Sequence, residues 1–228
     1  SHKNGQPYVN NNTPMYWYQD GYYVAYYAKT YLGKTYSNEV PFSVANYHDI
    51  DDVVADKANH YFIDHKDVKR DPKIYINDYS SANQNGLDLF KQLFDLSLLD
   101  ETSPGVTDGV VTSGEFEGHS LLNNRVSGGE NLEFFLRTNI DHSSATWTPI
   151  GTSTCFAGTL HGDGNTISGL DHSLFDKLCG QVYNLGVTGS FTQAGIVNSG
   201  DGYVENCCVM SSAANVDHVH AVIGKPTG

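Results

Sequence analysis

Five carboxylates and one cation stand close in sequence between residues 163 and 205: Asp163, Asp171, Asp176, Asp201 and Glu205, with Lys177 among them. Convergent carboxylates, or a carboxylate beside a Lys or Arg, are what glycan cleavage requires. Asp176 and Glu205 hold non-equivalent places in the repeat described below. The simpler account is that these acids form turns, where Asp is favoured. Histidine pairs raise a second chemistry: His218 and His220 beside Asp217, and His60 with His65. Zinc takes three or four ligands, and here only pairs occur. "HGDGN" (His161 to Asn165) is too poor in acids for a calcium loop. No P-loop, nucleophile elbow or dinucleotide fingerprint is present. The residues therefore imply no metal and no cofactor. A third chemistry is stacking on sugar rings, for which Tyr16, Trp17 and Tyr22 are the candidates in a stripe with Tyr18 and Tyr26. Cross-strand packing of aromatics is the competing account of that stripe.

The bulk of the chain narrows the partners. It has 228 residues, a formal net charge of −13, 17% charged residues and 15 Tyr. An acidic chain lacks the basic footprint that phosphate neutralisation needs, which argues against nucleic acid. Anionic membrane surfaces are disfavoured for the same reason. No apolar run approaches the ~18 residues that span a bilayer, so no membrane insertion is expected. Few charges with many Tyr, Asn, Thr and Gly favour strands joined by turns. The polar start "SHKNGQPYVNNNTP" carries no visible signal peptide and reads as a processed or recombinant fragment.

Four cysteines, Cys155, Cys179, Cys207 and Cys208, lie in the last third at otherwise apolar positions and without C-x-x-C spacing. Buried free thiols are the first expectation; a Cys155–Cys179 bridge stays open.

The elements that must position these residues fall into three stretches. Residues 1–58 hold a Tyr-rich hairpin region, with turns at "QDG" and "LGK" and strands between about Met15 and Val44. Helical spacing of Ile50, Val53 and Val54 follows. Residues 59–128 form a mixed α/β connector. Tyr61–Ile63, Lys73–Ile76 and Val110–Val111 read as short strands, and "HSLLNNRVSGG" as a helical turn. Leu87, Phe90, Leu93 and Phe94 mark an amphipathic helix, Leu87 to Leu98, that serves as a cap. Residues 129–228 change texture, to short apolar units separated by Gly and Asn.

That last stretch repeats. "GQVYNLGV" (Gly180 to Val187) matches "GYVENCCV" (Gly202 to Val209) at an offset of 22, and Leu174-Phe175 falls opposite Ile196-Val197. "GNTISGL" fits the template loosely, with Ile167 at the place of Leu185. A unit of about 20 residues built from short β-runs reads as a β-solenoid, whose coils pair strand on strand and bury a core only by stacking. Val182 then sits over Val204 and Leu185 over Cys207. Asn184 and Asn206 stack at one corner. Gly158, Gly164, Gly169, Gly180 and Gly202 mark bends. The expected fold is mainly β: a parallel β-helix in the C-terminal half, preceded by a smaller α+β region with the hairpin and the capping helix.

The same residues resemble GLUG-type repeat regions of large surface proteins from Bacteroides-like gut bacteria. The resemblance rests on Asn139-Ile140-Asp141, Trp147-Thr148-Pro149-Ile150-Gly151, Phe156-Ala157-Gly158-Thr159, the turn His161 to Asn165, Ile167-Ser168-Gly169-Leu170, "SLFDKL" and "VYNLGV". It covers about 95 residues and departs at His161, where that family often has Asp. It implies a right-handed parallel β-helix, export to the cell surface and a non-catalytic, structural or adhesin-like role, toward a host or cell-surface glycan or protein. Carbohydrate binding or processing, by the Tyr-rich part or the solenoid face, is the alternative. The first 60 residues resemble a truncated fibronectin-type or similar β-sandwich repeat.

Overall fold

The computed structural model describes residues 14–19, 22–31, 34–41, 47–62, 72–77, 79–81, 84–122, 124–191, 194–212 and 223–226. The chain divides into two units, Ser1–Asn46 and Tyr47–Gly228. Residues 47–58, grouped above with the Tyr-rich stretch, belong to the second.

In the first unit, β1 (Pro14–Gln19), β2 (Tyr22–Tyr31) and β3 (Lys34–Pro41) make an antiparallel sheet in the order β1-β2-β3. Tyr18 pairs with Tyr23 and Thr30 with Thr35, so β1 and β3 both run antiparallel to β2; the expected turn residues Asp20, Gly21, Leu32 and Gly33 lie outside the described ones.

The second unit is mainly β with few helices, and its long sheets are parallel. It opens with β4 (Tyr47–Asp49) and the short helix α1 (Ile50–Ala55), whose Ile50 and Val53 are buried. Tyr61 and Phe62 form a 3-10 turn with His60, not the expected strand. Asn59 adopts a left-handed φ of 56°, and its carbonyl accepts the Phe62 N–H at 3.0 Å. Ile63 lies outside the described residues, as do His65 and the Asp217–His220 run. Next come β5 (Lys73–Ile76), β6 (Ser80–Ser81), β7 (Gln84–Asn85) and the helix α2 (Gly86–Ser97). Asn85 caps α2: its side chain accepts from Leu87 and Asp88, and Asp88 accepts from the Asn85 N–H. This reciprocal box satisfies orphan donors of the first turn. The small hairpin β8 (Val106–Thr107) and β9 (Val110–Val111) follows, then β10 (Glu133–Leu136) and β11 (Ile140–Asp141). "HSLLNNRVSGG" does hold a 3-10 stretch, Asn124–Gly129, broken by a kink at Ser127 and Gly128.

From there the chain runs in circuits of three strands. The first is β12 (Thr159–His161), β13 (Thr166–Leu170) and β14 (Phe175–Leu178). The second is β15 (Gln181–Tyr183), β16 (Gly186–Gly189) and β17 (Val197–Gly200). The third is β18 (Tyr203–Glu205), β19 (Cys208–Ser211) and β20 (Ile223–Pro226). Strands of successive circuits pair in parallel, giving sheets of order β18-β15-β12-β10-β5-β4, β11-β13-β16-β19 and β14-β17-β20. The 22-residue register is visible directly: Val182 pairs with Val204, Val187 with Val209 and Phe175 with Val197. Ile167 pairs with Val187, not in the Leu185 row where the loose match placed it. Gly169 (φ 81°) accompanies a register shift between Ile167 and Leu170.

The interior is a column of inward residues. Ile74, Phe134, Leu160 and Val182 stack in the largest sheet, all fully buried. α2 covers one end of the column. Its Phe90 ring lies 4.5 Å from Phe134, 5.5 Å from Phe156 and 6.2 Å from Phe175, so one helix residue touches successive circuits. The two edge-to-face pairs, with Phe156 and Phe175, add ~0.5–1.5 kcal/mol each beyond burial. The N-terminus of α2 is tied to β11 through Asn85, whose Nδ2 reaches Asp141 O and His142 Nδ1, while buried His142 packs its ring edge-on to Trp147. α1 is held by His119, whose two ring nitrogens face the carbonyls of Phe116 and Val54 at 3.0 and 2.9 Å.

Close stacking dictates glycine at Gly180. A Cβ there would lie 1.9 Å from the Gly158 carbonyl oxygen. Gly164 needs its left-handed φ of 80° instead, next to Asp163 at 52°.

Candidate functional site

Tyr16 and Trp17 lie on β1, paired with Ala25 and Val24, and Tyr22 opens β2 opposite Gln19. Their side chains lie outside the described ones. The remaining predicted residues have structural surroundings. Asn206 Nδ2 donates to Asn184 Oδ1 at 2.7 Å, and both residues hold a left-handed φ near the value that Asn tolerates. Leu185 is buried, and its carbonyl accepts the Cys208 N–H at 3.0 Å. Cys207 is half-buried one circuit on, and burial pushes its thiol up from its ordinary range.

The cysteines correct the expectation of four buried thiols. Cys155 and Cys179 form a disulfide with a Cα–Cα distance of 5.7 Å, and Cys208 is exposed. Phe156 bridges Leu178 in parallel, and the disulfide joins the residue before Phe156 to the residue after Leu178, diagonally across that pair.

Three of the carboxylates, Asp171, Asp176 and Glu205, hold neighbouring chain. Asp176 accepts from Asn198 Nδ2 at 3.0 Å, and Lys177 reaches the Thr152 carbonyl at 3.4 Å. Asp171 accepts the Trp147 N–H at 2.8 Å. Its partial burial raises the carboxyl, but that bond and His172 outweigh it and hold it below the ordinary range. Glu205 accepts the Tyr203 hydroxyl at 2.9 Å, a bond that pushes the phenol up. Among the described residues, no group of three or more His, Cys, Asp or Glu is placed to hold a metal. No described helix is long and apolar enough to cross a membrane.

The feature that sequence reasoning missed runs across the largest sheet. Each of its strands sends the residue after the inward one outward, and that residue is aromatic or His on four consecutive strands: Tyr75, Phe135, His161 and Tyr183. Phe135 and His161 stack at 4.4 Å and 8°, and His161 and Tyr183 at 5.6 Å and 19°. Tyr75 meets Phe135 edge-on at 6.3 Å, and Tyr203 leans on Tyr183 at 5.9 Å. Arg137 lies over Tyr75 and Lys73 over Phe135, 5.0 and 5.5 Å from the ring centres. The ladder's ring faces are thus occupied by each other and by cations.

Beside it runs a second outward row, Lys73, Glu133, Thr159, Gln181 and Tyr203, in the same register. Glu133 sits between Lys73 Nζ at 3.2 Å and His161 Nε2 at 3.5 Å. Thr159 is the short member of the row. The gap over it is an open concavity of about 520 Å³, walled by Glu133, His161, Gln181, Tyr183 and Asn131, with Ala157 and Gly158 at its edge. His161 Nε2 is buried there without a hydrogen-bond partner. The signal was present in "KIYI", "EFFL", "TLH" and "QVY", once these are aligned on their inward residues.

Comparison with known proteins adds nothing to this geometry: no family model, no curated protein and no solved structure matches the chain.

Proposed function

We propose that residues 129–228 form a short right-handed parallel β-helix that resembles GLUG-type repeats, part of a non-catalytic extracellular module of a bacterial surface protein. Three parallel sheets visited in turn by successive circuits support the β-helix reading, and parallel crossovers are right-handed in nearly all known cases. The Cys155–Cys179 bridge carries the extracellular reading. Structural disulfides persist in secreted and surface proteins and are rare in the reducing cytosol. The role is structural or adhesin-like, presenting the largest sheet to a glycan or protein partner.

A carbohydrate-binding reading of that sheet is favoured by the concavity over Thr159, where hydroxyl, amide, imidazole and carboxylate groups converge. Carbohydrate cleavage has less support, because Asp171, Asp176 and Glu205 are each engaged in holding neighbouring chain.

The test is localisation and turnover together. Antibody labelling of intact cells should detect the chain at the surface with Cys155 and Cys179 oxidised, and incubation with polysaccharides should release no new reducing ends. A cytosolic, reduced chain would sink the extracellular assignment; released ends would sink the non-catalytic one.

A further inference from the structure

We infer that the concavity over Thr159 is a binding site for a neutral saccharide, a mono- or disaccharide segment of a larger glycan; this rests on the reading of the largest sheet as a presenting surface. The site exists because a short residue interrupts a row of long ones. Glu133 and Gln181 flank Thr159 one strand away on either side, so their backbones stand about 9–10 Å apart at the ordinary strand spacing. The concavity falls within the ~300–1,000 Å³ typical of small-molecule sites.

The chemistry of the walls selects the ligand class. A sugar offers hydroxyls that both donate and accept. The walls answer with a carboxylate acceptor at Glu133, amides at Gln181 and Asn131, a hydroxyl at Thr159 and the imidazole of His161. His161 Nε2 is buried and makes no hydrogen bond, its polar neighbour being Glu133 Oε2 at 3.5 Å, so a sugar hydroxyl can complete its hydrogen bonding. No Lys or Arg lines the concavity, and the nearby Lys73 is paired with Glu133 at 3.2 Å, so phosphate, sulfate or uronate groups find no unpaired counter-ion on its wall. A fully apolar ligand would strand the same polar groups. The ring faces of the ladder are already stacked, so the sugar lies alongside the ladder and is held by hydrogen bonds. Sites of that kind discriminate strongly against analogues lacking a hydroxyl.

The test is calorimetry of the full chain with neutral gluco-, xylo-, manno- and galacto-oligosaccharides, alongside sialylated and sulfated ones. The expected result is binding of at least one neutral series. Thr159→Tyr, which completes the row with a strand-favouring residue, should weaken it at least tenfold with an unchanged thermal midpoint. Gln181→Ala, on an exposed strand position, gives a second variant if Thr159→Tyr folds poorly, and should weaken binding severalfold. Binding of charged glycans alone, of none, or binding untouched by both variants would overturn the inference while leaving the surface-module reading in place. Cleavage of a bound neutral oligosaccharide would leave the site standing and overturn the non-catalytic reading instead.

Discussion

Leu185→Asp should leave no folded second unit. Leu185 is 1% exposed and belongs to the continuous core that runs from α1 through the stacked circuits. Burying an uncompensated carboxylate in that apolar core costs well over about 5 kcal/mol, or forces the group to take up a proton. Native domains hold only ~5–15 kcal/mol in total. Thermal or urea unfolding followed by circular dichroism should therefore find the variant unfolded or lost to aggregation. Leu185→Cys is the control, since Cys207 occupies that place one circuit on. It should fold with a loss of about 2 kcal/mol, the scale of a large-to-small core substitution. A native-like Leu185→Asp would mean that this position does not face the core.

The second large effect is loss of the Cys155–Cys179 bridge. It closes a loop with a sequence separation of 24. In the chain-entropy account, a loop of that length restricts the unfolded ensemble by about 3–4 kcal/mol. Unfolding free energies from urea titrations with and without reductant should differ by that amount, and Cys155→Ala with Cys179→Ala should reproduce the reduced value. Reductant should leave the double variant unmoved. Equal midpoints for the oxidised and reduced chain would show that the bridge does not hold these circuits together.

The bridge also shows where sequence reasoning stopped. A separation of 24 does not match the 22-residue repeat: Phe156 bridges Leu178 at an offset of 22, and the disulfide joins the residues diagonal to that pair. Register arithmetic alone could not bring Cys155 beside Cys179. The later circuits were legible for the opposite reason. Val182 and Val204, Asn184 and Asn206, and Gly180 and Gly202 are identical residues in stacked positions, since each fills the same place in successive circuits. Ile167 was misaligned because the turn between β12 and β13 is two residues longer than that between β15 and β16: Leu160 pairs with Val182 at an offset of 22, but Ile167 with Val187 at 20. The largest sheet extends back to β5 and β4, which read as connector and hairpin region. Lys73 and Glu133 pair although α2 and two small hairpins lie between them in the chain.

The outward ladder escaped notice because Tyr75, Phe135, His161 and Tyr183 are not one residue type and do not share one offset. Only the inward residues reveal that they share a row. The concavity beside them depends on Thr159 being shorter than Glu133 and Gln181, a comparison that needs the pairing of three strands far apart in sequence.

The most direct test of the account is nuclear magnetic resonance of the labelled chain, reading contacts between backbone protons of paired strands. Stacked parallel circuits predict contacts between Leu160 and Val182, between Val182 and Val204, and between Val187 and Val209, with the partner always further along in the same direction. Contacts whose partners run in opposite directions through these strands, as in hairpins, or their absence at the 22-residue offset, would contradict it.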